Sequence, residues 1–166
     1  MLSALDAQMK SARHFEDNYL LDFPDQRLKL GQCLIRIRYA QGTAVLTYKG
    51  APLAGGIFKS REELETCLES GPVTLRILEQ LGLQIWFRYQ KYRQEFELDS
   101  VQIAVDETPV GNFAEFEGSE ETIESLTNRM GIDSSRFLKF SYYSLYLDHC
   151  RQEGKTPDHM IFETEA

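Results

Sequence analysis

The sequence of 166 residues has no apolar run near the roughly 18 residues that a membrane-spanning helix needs. Its opening, MLSALDAQMK, lacks the basic stretch followed by an apolar one that marks a secretory leader. Cysteine is sparse and odd in number: Cys33, Cys67 and Cys150 are far apart and form no C-x-x-C pair. This argues against a disulfide scaffold and points to reduced, buried thiols in a cytoplasmic protein. His14, His149 and His159 show no ligand spacing, which disfavours a histidine zinc site. Basic charge is the minority, 18 Lys and Arg against 26 Asp and Glu, for a net charge of −8. A general nucleic-acid binder would carry a basic face, so that class is disfavoured. A small anionic ligand is not, because local fields decide its binding. There is no repeat, linker or low-complexity stretch, and one domain over 1–166 is expected.

What is present reads as strands with helices between them. Leu2, Leu5 and Met9 recur at three- and four-residue steps, which predicts a helix over the first fifteen residues. NYLLDFPDQRL reads as a strand entering a proline turn, and CLIRIRY and TAVLTYKG as a hairpin joined at AQG. In SREELETCLESG, Ser60 and Glu63 have capping-box spacing, and Leu64, Cys67 and Leu68 form a helical stripe. Gly71-Pro72 breaks the chain before a second short helix, VTLRILEQLGL. QIWFRYQKYRQEFEL (long enough to turn within itself), SVQIAVDE and NFAEFEG follow as strands. Helices are expected after Ser119 and at SYYSLYLDHC, with MIFE as a short terminal strand. The expected class is α+β with antiparallel pairing.

The phase of the charges matters more than their total. Arg36 and Arg38 share one face of their strand, as do Lys91 and Arg93, and as do Glu115 and Glu117. Same-face neighbours lie about 6.7 Å apart. Two carboxylates at that distance repel by roughly 2.5 kcal/mol at an effective dielectric of 20, and by about 0.6 kcal/mol in bulk water. On a wet surface such a pair means little; in an enclosed space it calls for a cation, and paired arginines call for a multivalent anion. Pattern alone leaves open whether these faces look outward or inward.

Six segments in order, EDNYLLDFPDQRL, LIRIR, LTYKG, KSREELE, KYRQEFEL and VDETPVGNFAEFEG, resemble the CYTH family, the triphosphate tunnel metalloenzymes. That family includes class IV adenylyl cyclases and thiamine triphosphatases. The resemblance runs from about Glu16 to Phe162 and implies an antiparallel β-barrel covered by helices, with the charged faces inside. It implies that Arg36, Arg38, Lys49, Lys91 and Arg93, helped by Arg61, hold a triphosphate. It implies Glu115 and Glu117 as ligands of Mg²⁺ or Mn²⁺, with Asp106, Glu63 and Glu65 as further acidic candidates. Phe116 would then pack under a helix. The resemblance also places residues 60–65 on a strand leading into a helix, against the helical stripe.

The family customarily opens with an E-x-E-x-K strand that supplies metal ligands, and nothing before Asn18 matches it. The barrel is therefore expected to lack a wall strand, and a reading frame continuing upstream of Met1 is expected to supply one. The implied function is a metal-dependent enzyme acting on ATP, thiamine triphosphate or tripolyphosphate, as a hydrolase or a class IV-type adenylate cyclase. SYYSLYLDHC and GNFAEFEG resemble the cyclase-type branch more than the thiamine triphosphatases. The alternative is a non-catalytic triphosphate- or polyphosphate-binding protein. Neither nucleic acid nor membrane is an expected partner.

Overall fold

Period-two alternation becomes strand almost wherever it occurs. The computed structural model describes residues 6–52, 61–138 and 140–163. Its strands are β1 (Gln8–Asp22), β2 (Leu34–Ala40), β3 (Thr43–Lys49), β4 (Glu63–Leu68), β5 (Gln84–Leu98), β6 (Val101–Thr108) and β7 (Gly111–Glu117). Its helices are α1 (Arg27–Leu30), α2 (Gly71–Gln80), α3 (Glu120–Arg129) and α4 (Tyr142–Glu153). The strands form one sheet in the order β4-β3-β2-β1-β5-β6-β7, with every neighbouring pair antiparallel. The class is α+β. Among the described residues β4 and β7 are the two edges, so the sheet stays open. No helix among them is long and apolar enough to cross a membrane.

Two hairpins use non-glycine residues in the left-handed region. Gln41 and Gly42, at φ 50° and 76°, turn β2 into β3, and Asp99 and Ser100, at 51° and 63°, turn β5 into β6. Positive φ at both central positions matches the right-handed twist of the paired strands.

The helix expected over the first fifteen residues is absent from those described. Gln8–Asp22 is instead the central strand, paired with β2 on one side and β5 on the other. Bonding on both edges outweighs a thin three-to-four stripe, and Met9, which a core helix would bury, is 55% exposed. Leu2 and Leu5 lie outside the described residues. The helical stripe of residues 64–68 is likewise strand, with Glu63 and Glu65 opposite Lys49 and Thr47; Ser60 lies outside the described residues. β5 runs its full 15 residues without turning. The expected terminal strand reduces to a single bridge, Met160 to Tyr89.

Gly71-Pro72 is not a break but the first turn of α2. Ser70 caps it by accepting from the Val73 amide, and proline is tolerated there because its missing N–H has no helical partner. A Cβ on Gly71 would lie 2.6 Å from the Tyr39 ring and 2.7 Å from the Ala44 Cβ, so glycine lets α2 sit directly on β2 and β3. Leu75 and Leu78 of α2 pack there on Leu21, Ile37 and Leu83. On the same face of the sheet, Ile123 and Leu126 of α3 pack on Val101 and Ile103, with Phe96 and Phe116 alongside. Phe116 thus lies under a helix, and Glu115 and Glu117 point to the other face. Full burial of such a side chain stabilises by about 1.5–3 kcal/mol.

Candidate functional site

With α2 and α3 covering one face, the charged residues of alternate phase collect on the other. The register puts Glu65 of β4 beside Thr47, Thr47 beside Arg36, and Arg38 beside Asn18. Across β1 the series continues: Asn18 lies opposite Tyr89, Glu16 opposite Lys91, His14 opposite Arg93, and Arg93 opposite Asp106. Acids occupy the edge strands and bases the strands inside them, with Glu16 and Asp106 among the bases.

These groups neutralise one another. Asp106, fully buried, accepts from Arg93 Nε at 2.7 Å and Nη2 at 2.6 Å, from Lys91 Nζ at 3.0 Å, and from the Tyr142 hydroxyl. Burial alone would raise the Asp106 carboxyl, but the Arg93 fork and the Lys91 charge override it and hold it below the usual range. Arg93 also donates to Glu115. Burial works against its charge, yet the Asp106 hydrogen bonds and the Glu115 charge leave its pKa raised. Burial and the charges of Glu115 and Asp106 push the Tyr142 phenol well above its ordinary value, so it stays a donor. Glu115 keeps 39% of its side chain exposed although its carboxyl end is crowded. Burial works upward on it, Lys91 and Arg93 work downward, and the net is a lowered pKa.

The other half of the face is arranged likewise. Arg36 Nη2 lies 3.3 Å from Glu65, which also accepts from Thr47 Oγ1 at 2.6 Å. Burial raises the Glu65 carboxyl, and the Thr47 bond with the Arg36, Arg38 and Lys49 charges brings it below normal. Lys49 pairs with Glu63 at 2.8 Å. At the centre, Glu16 is 2% exposed and lies 3.6 Å from Arg38 and 3.5 Å from Lys91.

Among the described residues, hydrogen bonding on this face is incomplete in one place. Glu16 Oε2, both amide atoms of Asn18, and Arg36 Nε are buried with no hydrogen-bond partner. An unsatisfied buried polar group costs about 1–3 kcal/mol, and native folds hold few of them. All of these lie on β1, which runs between the two basic pairs, and on β2, which carries Arg36 and Arg38.

Each end of the face is bounded differently. Tyr142, Tyr143 and Tyr146 of α4 pack against Leu20, Phe87, Tyr89 and Met160 and close one end. Ser141 caps this helix, accepting from the Ser144 amide. At the other end a cavity of about 220 Å³ is lined by Glu95, Glu97, Glu115, Glu117, Lys10 and Arg93, among others, with Ala104 between Glu95 and Glu115 leaving room. A larger groove of about 580 Å³ lies on the opposite face, between Pro72 to Gln80 and Tyr19, Tyr39 and Asp17. Its Asp17 is already held by Arg88 at 2.9 and 2.6 Å, and the charged rows do not reach it.

The profile of the CYTH domain matches residues 2–130. The chain belongs to the CYTH domain family. A candidate adenylate cyclase of Methanocaldococcus jannaschii is 26% identical over 145 residues, covering 80% of this chain and 82% of that one. Among solved structures, a protein of Pyrococcus horikoshii superposes with a TM-score of 0.74 at 18% identity, over 87% of this chain and 88% of that one. A candidate adenylate cyclase of Vibrio parahaemolyticus gives 0.72 at 18% identity, over 87% and 86%. A candidate adenylyl cyclase of Hippeastrum, described as having a dominant triphosphatase activity, gives 0.62 at 16% identity, over 94% and 89%. At these identities the structural likenesses establish the fold.

In this CYTH domain Arg36, Arg38, Lys49, Lys91, Arg93, Glu63, Glu65, Asp106 and Glu115 come together on one face, tied by the ion pairs above. Glu117 follows Glu115 at the acidic cavity. Arg61 is half-buried just ahead of β4, next to residues that are not described. Asp106 has both oxygens committed to Arg93, Lys91 and Tyr142, which makes it an organiser of the bases rather than a free ligand. Sequence reasoning missed Glu16 and Asn18, because the helix expected over residues 1–15 hid the phase of β1. It also missed Tyr142 and the Glu95/Glu97 pair, although EFE occurs at 95–97 as it does at 115–117.

Proposed function

We propose that this CYTH domain binds the triphosphate of a small molecule along the ionic face and hydrolyses it with the help of Mg²⁺ or Mn²⁺. The observation that supports this reading best is the row made by the unbonded Asn18 amide and Arg36 Nε, with the strand of Asn18 running between the two basic pairs. Such a row suits an anion long enough to touch both pairs. Arg36 and Arg38 would take one part of it, and Lys91 and Arg93 the other, as charge-assisted donors. Asp106 and Tyr142 would keep Lys91 and Arg93 aimed. Glu115, at the rim, would exchange Arg93 for another cation when phosphate takes its place.

The donor chemistry fits a hard cation: carboxylates border the acidic cavity, without imidazole or thiolate. Among the described residues no group of three His, Cys, Asp or Glu forms a ready cage. That suits Mg²⁺, which is commonly held by one or two carboxylates plus substrate phosphates. Glu115 and Glu117 would hold it, with Glu95 facing them across Ala104. The chemistry a cation supplies there is neutralisation of phosphate oxygens and orientation of the attacking group.

Hydrolysis is favoured over cyclisation by the two ends of the face. One is filled by tyrosines packed on Phe87 and Tyr89, and the other is lined by carboxylates, so neither leaves an open apolar platform for a nucleobase. The named relative from Methanocaldococcus jannaschii supports cyclisation of ATP as the second reading. Incubating the protein with tripolyphosphate or ATP and Mg²⁺, then assaying phosphate, pyrophosphate and cyclic AMP, separates them. Orthophosphate release is the expected result. Cyclic AMP with pyrophosphate would establish the cyclase reading. Tight binding without turnover would make the protein a triphosphate-binding module.

A further inference from the structure

We propose that Asn18 is a specificity-determining residue of the ionic face, its side-chain amide binding the middle of a linear polyphosphate that bridges the two basic pairs. The inference rests on the triphosphate reading and adds a residue and a length criterion to it.

Asn18 sits at the middle of β1, the strand that separates β2 from β5. Its register partners are Arg38 on one side and Tyr89 on the other. Strands two apart in a sheet are about 10 Å apart, so an anion held by both Arg36/Arg38 and Lys91/Arg93 has to pass over β1. The side chains it passes are Glu16 and Asn18. Glu16 is anionic and lies within 3.6 Å of Arg38 and 3.5 Å of Lys91. Asn18 is neutral, is completely buried, and has neither amide atom bonded. An amide carries two donor hydrogens and an acceptor oxygen. It can therefore donate to a non-bridging phosphate oxygen while its carbonyl accepts from a neighbouring cation. A short anion sitting on either basic pair does not reach it.

The reading differs from a purely structural role in a way that can be measured. An asparagine that serves the fold loses stability when replaced. One that is unpartnered in the fold loses none, because an apolar group of similar shape removes an unsatisfied pair of atoms. Asn18→Leu is the first variant, and Asn18→Ala the second should the larger side chain prevent folding, read by its affinities alone because the cavity it leaves lowers melting by itself. Titration calorimetry with tripolyphosphate and with orthophosphate is run beside thermal melting of the free protein. Tripolyphosphate affinity is expected to fall about 10- to 100-fold, the worth of one charge-assisted bond. Orthophosphate affinity should not change, and the free variant should melt no lower than the wild type. Unchanged tripolyphosphate affinity in a wild type that binds it would overturn the role of Asn18 alone. Equal losses for both anions, or a melting temperature lowered by several degrees, would make Asn18 structural and overturn it too. A wild type that binds no tripolyphosphate would remove the triphosphate reading itself.

Discussion

Replacing Asp106 with asparagine tests whether the buried network stabilises the fold on its own account. Asp106 is fully buried, and Arg93 and Lys91 beside it have side chains only 10% and 3% exposed. Asparagine keeps the shape but leaves two buried cations without their shared anion. Breaking a buried pair from one side costs about 3–5 kcal/mol. Here Glu115 still faces Arg93, and Glu16 remains 3.5 Å from Lys91. The expected loss is therefore near the lower limit, about 3 kcal/mol, a large share of a typical total of roughly 5–15 kcal/mol. Urea denaturation at neutral pH should show a midpoint lower by about 1–3 M, from slopes of roughly 1–3 kcal/mol per molar. Tripolyphosphate should restore much of the loss, since a ligand at one hundred times its Kd adds about 2.7 kcal/mol to a state that binds it. A midpoint equal to that of the wild type would refute the network reading. A loss of this size that the polyanion fails to reduce would instead count against polyphosphate binding on this face.

Three further outcomes follow from the same geometry. Changing Glu115 and Glu117 together to glutamine should abolish Mg²⁺-dependent turnover while circular dichroism keeps the wild-type spectrum and melting falls only modestly, because Asp106 still holds the Arg93 guanidinium that Glu115 gives up; full activity would refute their role. Arg36→Ala and Arg38→Ala should each weaken tripolyphosphate binding by about 1.5–3 kcal/mol by calorimetry, with AMP binding weak throughout. The Asp106 and Glu115 carboxyls are held below their ordinary values, so their contribution is complete above the unfolded values of about 3.9 and 4.3 and is lost as pH falls through the folded ones. Urea midpoints should accordingly drop as the pH falls below about 5, and less steeply in Asp106→Asn.

Much of this site is legible from period two. Arg36/Arg38, Lys91/Arg93 and Glu115/Glu117 alternate with apolar residues, so each pair had to share a face of its strand. The direction of that face was not legible, because a solvated sheet shows the same alternation; the six ordered segments resolved it by resemblance. Residues 8–15 were misread because Met9 fits a helical step with Leu2 and Leu5, and the hydrogen bonds that make the segment a strand come from β2 and β5, far along the chain. The segment 63–68 fits both periods over so short a window. Its partner across the sheet, Lys49 and Thr47 opposite Glu63 and Glu65, settles the matter. Tyr142 carries no local mark at all, since its contact with Asp106 joins a late helix to β6 across 36 positions.

On the proposed reading, the carboxylates of the ionic face stand where phosphate oxygens would stand. Asp106 takes the Arg93 fork in the two-pronged way that suits a phosphate, and Glu115 takes a further donor of the same guanidinium. Glu65 does the same for Arg36, and Glu16 lies between Arg38 and Lys91. Without such anions five bases on one face would repel one another, and the sheet would carry that cost before any ligand arrived. With them the face is stable when empty, and an incoming polyanion has to displace them. Displacement is easiest at Glu63, Glu65 and Glu115, each about 39% exposed, and hardest at Asp106, which is fully buried. The edge acids are therefore the ones free to turn toward a cation once phosphate has taken their bases, while Asp106 stays in place. On the proposed reading, that division would put the metal-binding carboxylates on the edge strands and the anchoring one inside the sheet.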